Sequence, residues 1–297
     1  MITVENLTKN FGNFEAVSGV SFSVKDHEIF GIVGPNGAGK STIVRMLATI
    51  LSPSSGKATV LGMDIAKNAQ DVRKIIGYLP EEPRVYDYMT GIEYLELFSQ
   101  LYETRYDINE LVRFMGMEKH INRRIGEYSK GLRQRLSVAR ALVNDPKVLI
   151  LDEPTMGLDP ASARDLREKV LQMRDEGRTV LMCTHYMEEA DFLCDRLVIL
   201  DGGAIAAQGS PEELKASIAG GLFLKVVLDS ENEAFVKMLK AKKRGRGILV
   251  PVKNVHEGAR LVLDAAKKAG AKILFIETVS PTLEDVFVKV TRKQEGE

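Results

Sequence analysis

Nine consecutive residues, Gly34-Pro35-Asn36-Gly37-Ala38-Gly39-Lys40-Ser41-Thr42, restrict this chain more than any other stretch of it. They fit the pattern G-x-x-x-x-G-K-[ST]. Glycines at these places let consecutive backbone N–H groups turn inward without Cβ clashes, which builds a concave anion cradle. The run before the loop, Ile29-Phe30-Gly31-Ile32-Val33, is short and apolar, as in a strand buried within a parallel sheet. Beyond the loop Ile43, Met46, Leu47 and Ile50 recur at helical spacing, and Ser52-Pro53-Ser54-Ser55-Gly56 ends that helix. A helix N-terminus therefore faces the same anion. The expected ligand is ATP, with Lys40 against its β- and γ-phosphates and the Ser41 hydroxyl ligating Mg2+.

A second constellation has the same destination. Lys147-Val148-Leu149-Ile150-Leu151-Asp152-Glu153 reads as an apolar strand ending in two acids. Open α/β sheets bind ligands beyond the carboxyl ends of their strands. Asp152 is placed to orient the magnesium shell, and Glu153 to polarise the attacking water as general base.

Around these motifs the chain alternates. Ile2 to Glu5 and Val20 to Val24 read as strands, and a helix-rich stretch covers about 82–146, opened by a Thr90/Glu93 capping box. Strands at Val148 to Leu151, Thr179 to Cys183 and Leu197 to Leu200 follow, with helices around 161–176 and 187–194 between them. That alternation argues for a mostly parallel sheet. The pattern restarts near 211, giving domains 1–217 and 218–297, the second with no nucleotide motif. In it, strands are expected at Phe223 to Leu228, Gly247 to Val252 and Ile273 to Val279, with helices over 231–243, 256–268 and 281–291.

Composition excludes some classes. Lys+Arg and Asp+Glu are both 41, so the electrostatic footprint of a dedicated nucleic-acid binder is missing and no nucleic-acid partner is expected. The two cysteines, Cys183 and Cys194, are too few for a disulfide framework or metal cluster, which favours a reducing, cytoplasmic setting. With no signal-peptide pattern and no apolar run of membrane-spanning length, any membrane role falls to another chain.

Tyr128-Ser129-Lys130-Gly131-Leu132-Arg133-Gln134-Arg135-Leu136, just upstream of the Asp-Glu strand, resembles the signature motif of the ATP-binding cassette (ABC) ATPases. The resemblance covers about residues 1–220 in motif order. From the residues alone, Ser129 reads as a helix N-cap and Gly131 keeps the backbone open at the helix's positive end. The resemblance implies an α/β P-loop NTPase cassette: a mostly parallel core sheet, an antiparallel N-terminal β-subdomain and a helical subdomain, followed here by a small C-terminal α/β domain. It also implies a head-to-tail homodimer in which Ser129 and Gly131 of one copy touch the γ-phosphate held by the other. Phe11 matches an aromatic that stacks on adenine, or is a core or strand-edge residue. Asp159 matches a loop that communicates between subunits, or is a turn aspartate before Pro160. His185 matches a switch histidine on the γ-phosphate. Glu81 stands where glutamine is usual; its oxygen suits magnesium while its charge opposes the phosphate. Lys130 and Leu132 replace the usual Gly and Gln.

Ser280-Pro281-Thr282-Leu283-Glu284-Asp285-Val286-Phe287 looks like the C-terminal helix of ABC-2-type exporter ATPases of the daunorubicin class. Pro281 is expected at the first helical position, and the helix serves as a domain cap or as a dimer or regulatory contact. The implied partner is a separate integral membrane permease, which would hold the chain peripherally at the inner face of the cell membrane. A soluble ABC ATPase of translation, DNA repair or cofactor assembly, or a nucleotide switch with little turnover, is the alternative. The basic residues Lys237, Lys240, Lys242, Lys243, Arg244 and Arg246 read as the solvated end of a helix rather than a headgroup or nucleic-acid site.

Overall fold

A computed structural model describes residues 2–104, 106–218, 222–239, 241–245, 247–252, 254–279 and 281–292, without the side chains of 242–244 and 292. Two compact units divide it, Met1–Ser210 and Pro211–Glu297.

The first unit begins with β1 (Ile2–Phe11), β2 (Phe14–Val24) and β3 (Ile29–Val33), then α1 (Lys40–Leu47), β4 (Ser55–Val60) and β5 (Met63–Asp64). Next come α2 (Ala69–Ile75), β6 (Ile76–Leu79), α3 (Gly91–Leu101), α4 (Ile108–Phe114) and α5 (Lys130–Leu142). It ends with β7 (Val148–Asp152), α6 (Pro160–Asp175), β8 (Thr179–Thr184), α7 (Met187–Leu193), β9 (Arg196–Asp201) and β10 (Ala204–Gly209).

Two sheets share its core. The antiparallel sheet runs β2-β1-β4-β5, and the larger one runs β10-β9-β3-β8-β7-β6, parallel except for the β9–β10 pair. Phe22 of the first stacks on Phe30 of the second with ring centroids 5.3 Å apart. Every residue of β3, β7 and β8 is buried, which explains why they read as continuous apolar runs without alternation. Register then places the site. Val33 pairs with Thr184, and Asp152 with Cys183, so the strand ends leading into Gly34, Glu153 and His185 lie at one edge of the sheet. Cys183 itself is fully buried in β8.

Two readings of this unit need adjustment. The helix after the loop stops at Leu47, leaving Ile50 outside it, because Thr49 takes a left-handed φ of 59°. The strand β6 was not expected; it follows α2 without a break and lies against β7.

The second unit carries α8 (Pro211–Ala216), β11 (Leu222–Leu228), α9 (Glu233–Met238), β12 (Lys242–Arg244), β13 (Gly247–Val252), α10 (Val255–Ala269), β14 (Ile273–Val279) and α11 (Leu283–Arg292). Its antiparallel sheet, β12-β13-β11-β14, with α9 and α10 as crossovers, is a split βαβ arrangement. Phe235 of α9 and Val262 of α10 are buried with Leu224, Val226 and Val250 of the sheet.

The helix expected over 231–243 is shorter. It ends at Met238, and Lys242 to Arg244 pair with Gly247 to Leu249 around Gly245, whose φ is 57°. Glycines at 245 and 247 favour a hairpin over a helix, so the basic residues there sit on an edge strand. Lys240, Arg246 and Ser280 lie outside the described residues. Pro281 precedes α11 and is not its first residue; Thr282 and Asp285 exchange capping hydrogen bonds at 2.9–3.2 Å.

α5 crosses β6 so closely that a Cβ on Gly77 would strike the Ala141 carbonyl oxygen and approach Leu149. We expect Gly77→Ala to destabilise the first unit by about 1–3 kcal/mol, read as a lower denaturation midpoint with unchanged slope.

Candidate functional site

The loop is shaped by what surrounds it. A Cβ on Gly34 would run into the Leu200 carbonyl oxygen, and Gly39, at φ 96°, would put one 2.5 Å from the Ala16 carbonyl oxygen. Both positions therefore require glycine. Gly37 also lies at positive φ, while Ala38 is buried with its N–H donating to the Pro35 carbonyl at 3.3 Å. α1 starts at Lys40 with no side-chain cap, so its first N–H groups point at the loop's concavity unsatisfied. The Lys40 ammonium is buried and donates to the carbonyl oxygens of Gly34 (2.8 Å) and Pro35 (3.1 Å).

The acids meet it from β7. Lys40 Nζ lies 3.5 Å from Glu153 Oε1, and the Ser41 hydroxyl donates to Asp152 Oδ1 at 3.1 Å. His185, just past β8, brings Nδ1 to 2.9 Å from Glu153 Oε2, and its backbone N–H reaches the same oxygen at 3.4 Å. With Glu153 ionised, this contact stabilises the tautomer protonated at Nδ1. Glu153 also holds a φ of 51°, a left-handed conformation that costs a side-chain-bearing residue about 1–2 kcal/mol. Such strain persists only where the surroundings enforce it.

Asp152 is fully buried, and its Oδ2 has no hydrogen-bond partner. Burial pushes its carboxyl up to about 6; the Ser41 hydroxyl opposes the rise, and the charges of Glu81 and Glu153 add to it. A buried, unpartnered lone pair beside a serine hydroxyl fits the water shell of a hard cation.

An open cleft of about 330 Å³ lies over the loop, and Asn36, Lys40, Ser41, Thr42, Glu81 and Glu153 border it. Phe11 is there too, half-exposed, with Lys9 Nζ 5.2 Å from its ring centroid. Phe14, which sequence reasoning missed, faces Phe11 across the β1–β2 hairpin and borders the same cleft. The turn at Gly12, with φ 57°, makes this pairing and was the available signal.

Ser129, Gly131 and Asp159 do not border that cleft and gather elsewhere in the same unit. Ser129 caps α5 by accepting from Leu132 N–H at 3.3 Å. Asp159 caps α6, accepting from the N–H groups of Ala161 (3.1 Å) and Ser162 (3.0 Å) and from the Ser162 hydroxyl (2.6 Å). Those bonds, the hydroxyl's first, hold its carboxyl below the usual range. A Cβ on Gly131 would come within 2.9 Å of Ser162 Oγ, so α5 and α6 begin side by side. Sequence reasoning also missed Gln134, Thr155 and Glu189, all buried close behind Glu153.

Residues 17–156 match the ABC transporter family model, and residues 209–291 match that of the DrrA1-3-like ATP-binding protein C-terminal domain. The linearmycin resistance ATP-binding protein LnrL of Bacillus subtilis is 32% identical over 98% of this chain and 98% of its own length. The chain belongs to the ABC transporter ATP-binding proteins. Nod factor export ATP-binding protein I of Rhizobium etli is 35% identical, covering 99% of this chain and 94% of the relative. A solved dimeric bacterial ABC transporter cassette aligns with a TM-score of 0.65 at 25% identity, over 71% of this chain and 98% of that one. The activity of this family is ATP hydrolysis coupled to transport, and its cassettes form dimers. No helix among the described residues is long and apolar enough to cross a membrane.

The raised Asp152 carboxyl has a stability consequence. A folded-state pKa above the unfolded 3.8 gives stability that is present below pH 3.8 and lost as pH rises through about 6. In EDTA and without nucleotide, Asp152→Asn is expected to be more stable than the parent by about 3 kcal/mol at pH 7.5. Thermal melts across the range should show that gap closing by about pH 4.

Proposed function

We propose that this chain is the ATP-hydrolysing subunit of an exporter, and that its nucleotide site is completed by a second copy. The observation that carries this reading is two sets of polar contacts made by neighbouring residues, Ser41–Asp152 and Lys40–Glu153–His185, at the mouth of an uncapped helix. Gly34 to Thr42 grip the triphosphate, and Phe11 stacks on the base. Ser41 and Asp152, with Glu81 at the rim, would hold Mg2+, which when bound neutralises charge on the β- and γ-phosphate oxygens. Incoming phosphate draws Lys40 off the loop carbonyls and away from Glu153. Glu153 Oε1, released from the ammonium, takes the proton of the attacking water, and His185 keeps the carboxylate oriented through Oε2. Ser129 and Gly131 of the second copy bring the positive end of α5 to the γ-phosphate, and Asp159 lies beside them at the same surface.

Export follows the relatives named for resistance and for Nod factor export. The partner is a separately encoded permease, which would hold the chain at the membrane's inner face. A groove of about 160 Å³ supports its docking: Phe98 of α3, Tyr102 just beyond that helix, Ile50 and Arg140 line it, and Ile50 and Tyr102 are exposed.

Lys40→Ala should abolish nucleotide binding, while Glu153→Gln should keep it and lose roughly 10²–10⁴ in turnover. Equilibrium binding of a fluorescent ATP analogue alongside phosphate release reads both; undiminished turnover in Glu153→Gln removes the general-base assignment. Failure to co-purify with a co-expressed multi-span product of a neighbouring gene, with no change in ATPase rate, would count against the transport role.

A further inference from the structure

Glu153 sits in a strained backbone conformation directly ahead of a short turn, Pro154-Thr155-Met156-Gly157, and that turn is gripped from two sides. From α5, the side chain of Gln134, itself only 8% exposed, donates through Nε2 to the Pro154 carbonyl oxygen at 2.6 Å. From α7, Glu189, 3% exposed, accepts the Thr155 hydroxyl proton at 2.6 Å. From β8, the Cys183 carbonyl accepts the Glu153 N–H at 2.9 Å. Gln134 and Glu189 are 55 residues apart in sequence and converge on two adjacent residues.

The Glu189 contact is not an economical way to stabilise a core. Glu189 Oε2 is buried with no hydrogen bond of good geometry, and the Thr155 and Thr184 hydroxyls are the groups that offset the desolvation of this acid. Burial, its largest influence, also raises its carboxyl above the usual range. A buried acid kept in this state beside a strained residue points to geometry as the thing maintained. α7 begins two residues after His185, which holds the Glu153 carboxylate, so one segment fixes both the side chain and the turn that follows it.

We propose that Gln134 and Glu189, the latter through Thr155, are positioning residues that keep Glu153 in its left-handed conformation and thereby aim its carboxylate. The proposal rests on the reading of Glu153 as general base. None of the three touches the nucleotide cleft, so removing their hydrogen bonds should disturb the aim of Glu153 and leave the grip on nucleotide alone.

The test compares kcat, the equilibrium affinity for a non-hydrolysable ATP analogue and the melting temperature in the full chain. Thr155→Val keeps the side-chain shape and deletes the donor; Thr155→Ser restores it. Gln134→Leu tests the other grip independently should Thr155→Val not fold. Expected are kcat losses of roughly 10- to 100-fold in Thr155→Val and Gln134→Leu, the scale for a misplaced catalytic group, with analogue affinity held within about twofold. Thr155→Ser should recover most of the rate. In a Glu153→Gln background Thr155→Val should add no further loss, because both act through one carboxylate. An unchanged kcat in Thr155→Val and Gln134→Leu overturns the proposal, as does a rate loss matched by equal losses of affinity and melting temperature. If Glu153→Gln alone turns over normally, the general-base reading fails instead.

Discussion

A lysine ammonium buried against its own loop is the interaction on which the rest of this site depends. Lys40 needs counter-dipoles and counter-charge out of water, and the structure supplies the Gly34 and Pro35 carbonyl oxygens and the Glu153 carboxylate. The carbonyls are available only because Gly34 and Gly39 let the backbone double back under Leu200 and Ala16. The carboxylate is available only because Glu153 accepts a backbone strain that Gln134, Thr155, Cys183 and Glu189 enforce. A phosphate group competes for the ammonium directly, so ligand binding and release of Glu153 are one event in this account.

Legibility in the sequence followed contiguity. The loop residues and Asp152-Glu153 are each a single run, and their chemistry is stated by residue type and by the apolar strand that precedes them. The strand β3 was readable because burial on both faces leaves no alternation. Contacts between distant residues were not: nothing local marks Glu189 as the acceptor of Thr155, 34 residues away, or Phe14 as the neighbour of Phe11 over the cleft. Resemblance placed His185, and the geometry gives it a partner that no spacing could name, the Oε2 of Glu153. In the second unit, basic residues that suit a helix end lie on β12 because Gly245 and Gly247 make a hairpin, a tertiary pairing that outweighs local charge preference.

The structure separates the sequence's functional residues into two groups within one chain. Lys40, Ser41, Asp152, Glu153 and His185 make two neighbouring sets of contacts beside the cleft; Ser129, Gly131 and Asp159 gather at the starts of α5 and α6. The second group offers the positive end of α5, capped by Ser129, and has no phosphate-gripping loop of its own. In the proposed dimer, a second copy would give each group what it lacks. Gln134 lies in the helix that Ser129 caps, so the second group is bonded to the turn that follows Glu153 of the first.

Sedimentation of Glu153→Gln with Mg-ATP tests that claim most directly, because slow hydrolysis lets the closed form accumulate. The account predicts a monomer without nucleotide, a dimer with ATP, and loss of that dimer when Ser129 is changed to a bulky residue such as phenylalanine. A Glu153→Gln protein that binds ATP and stays monomeric at every concentration, or a dimer indifferent to Ser129, would contradict it.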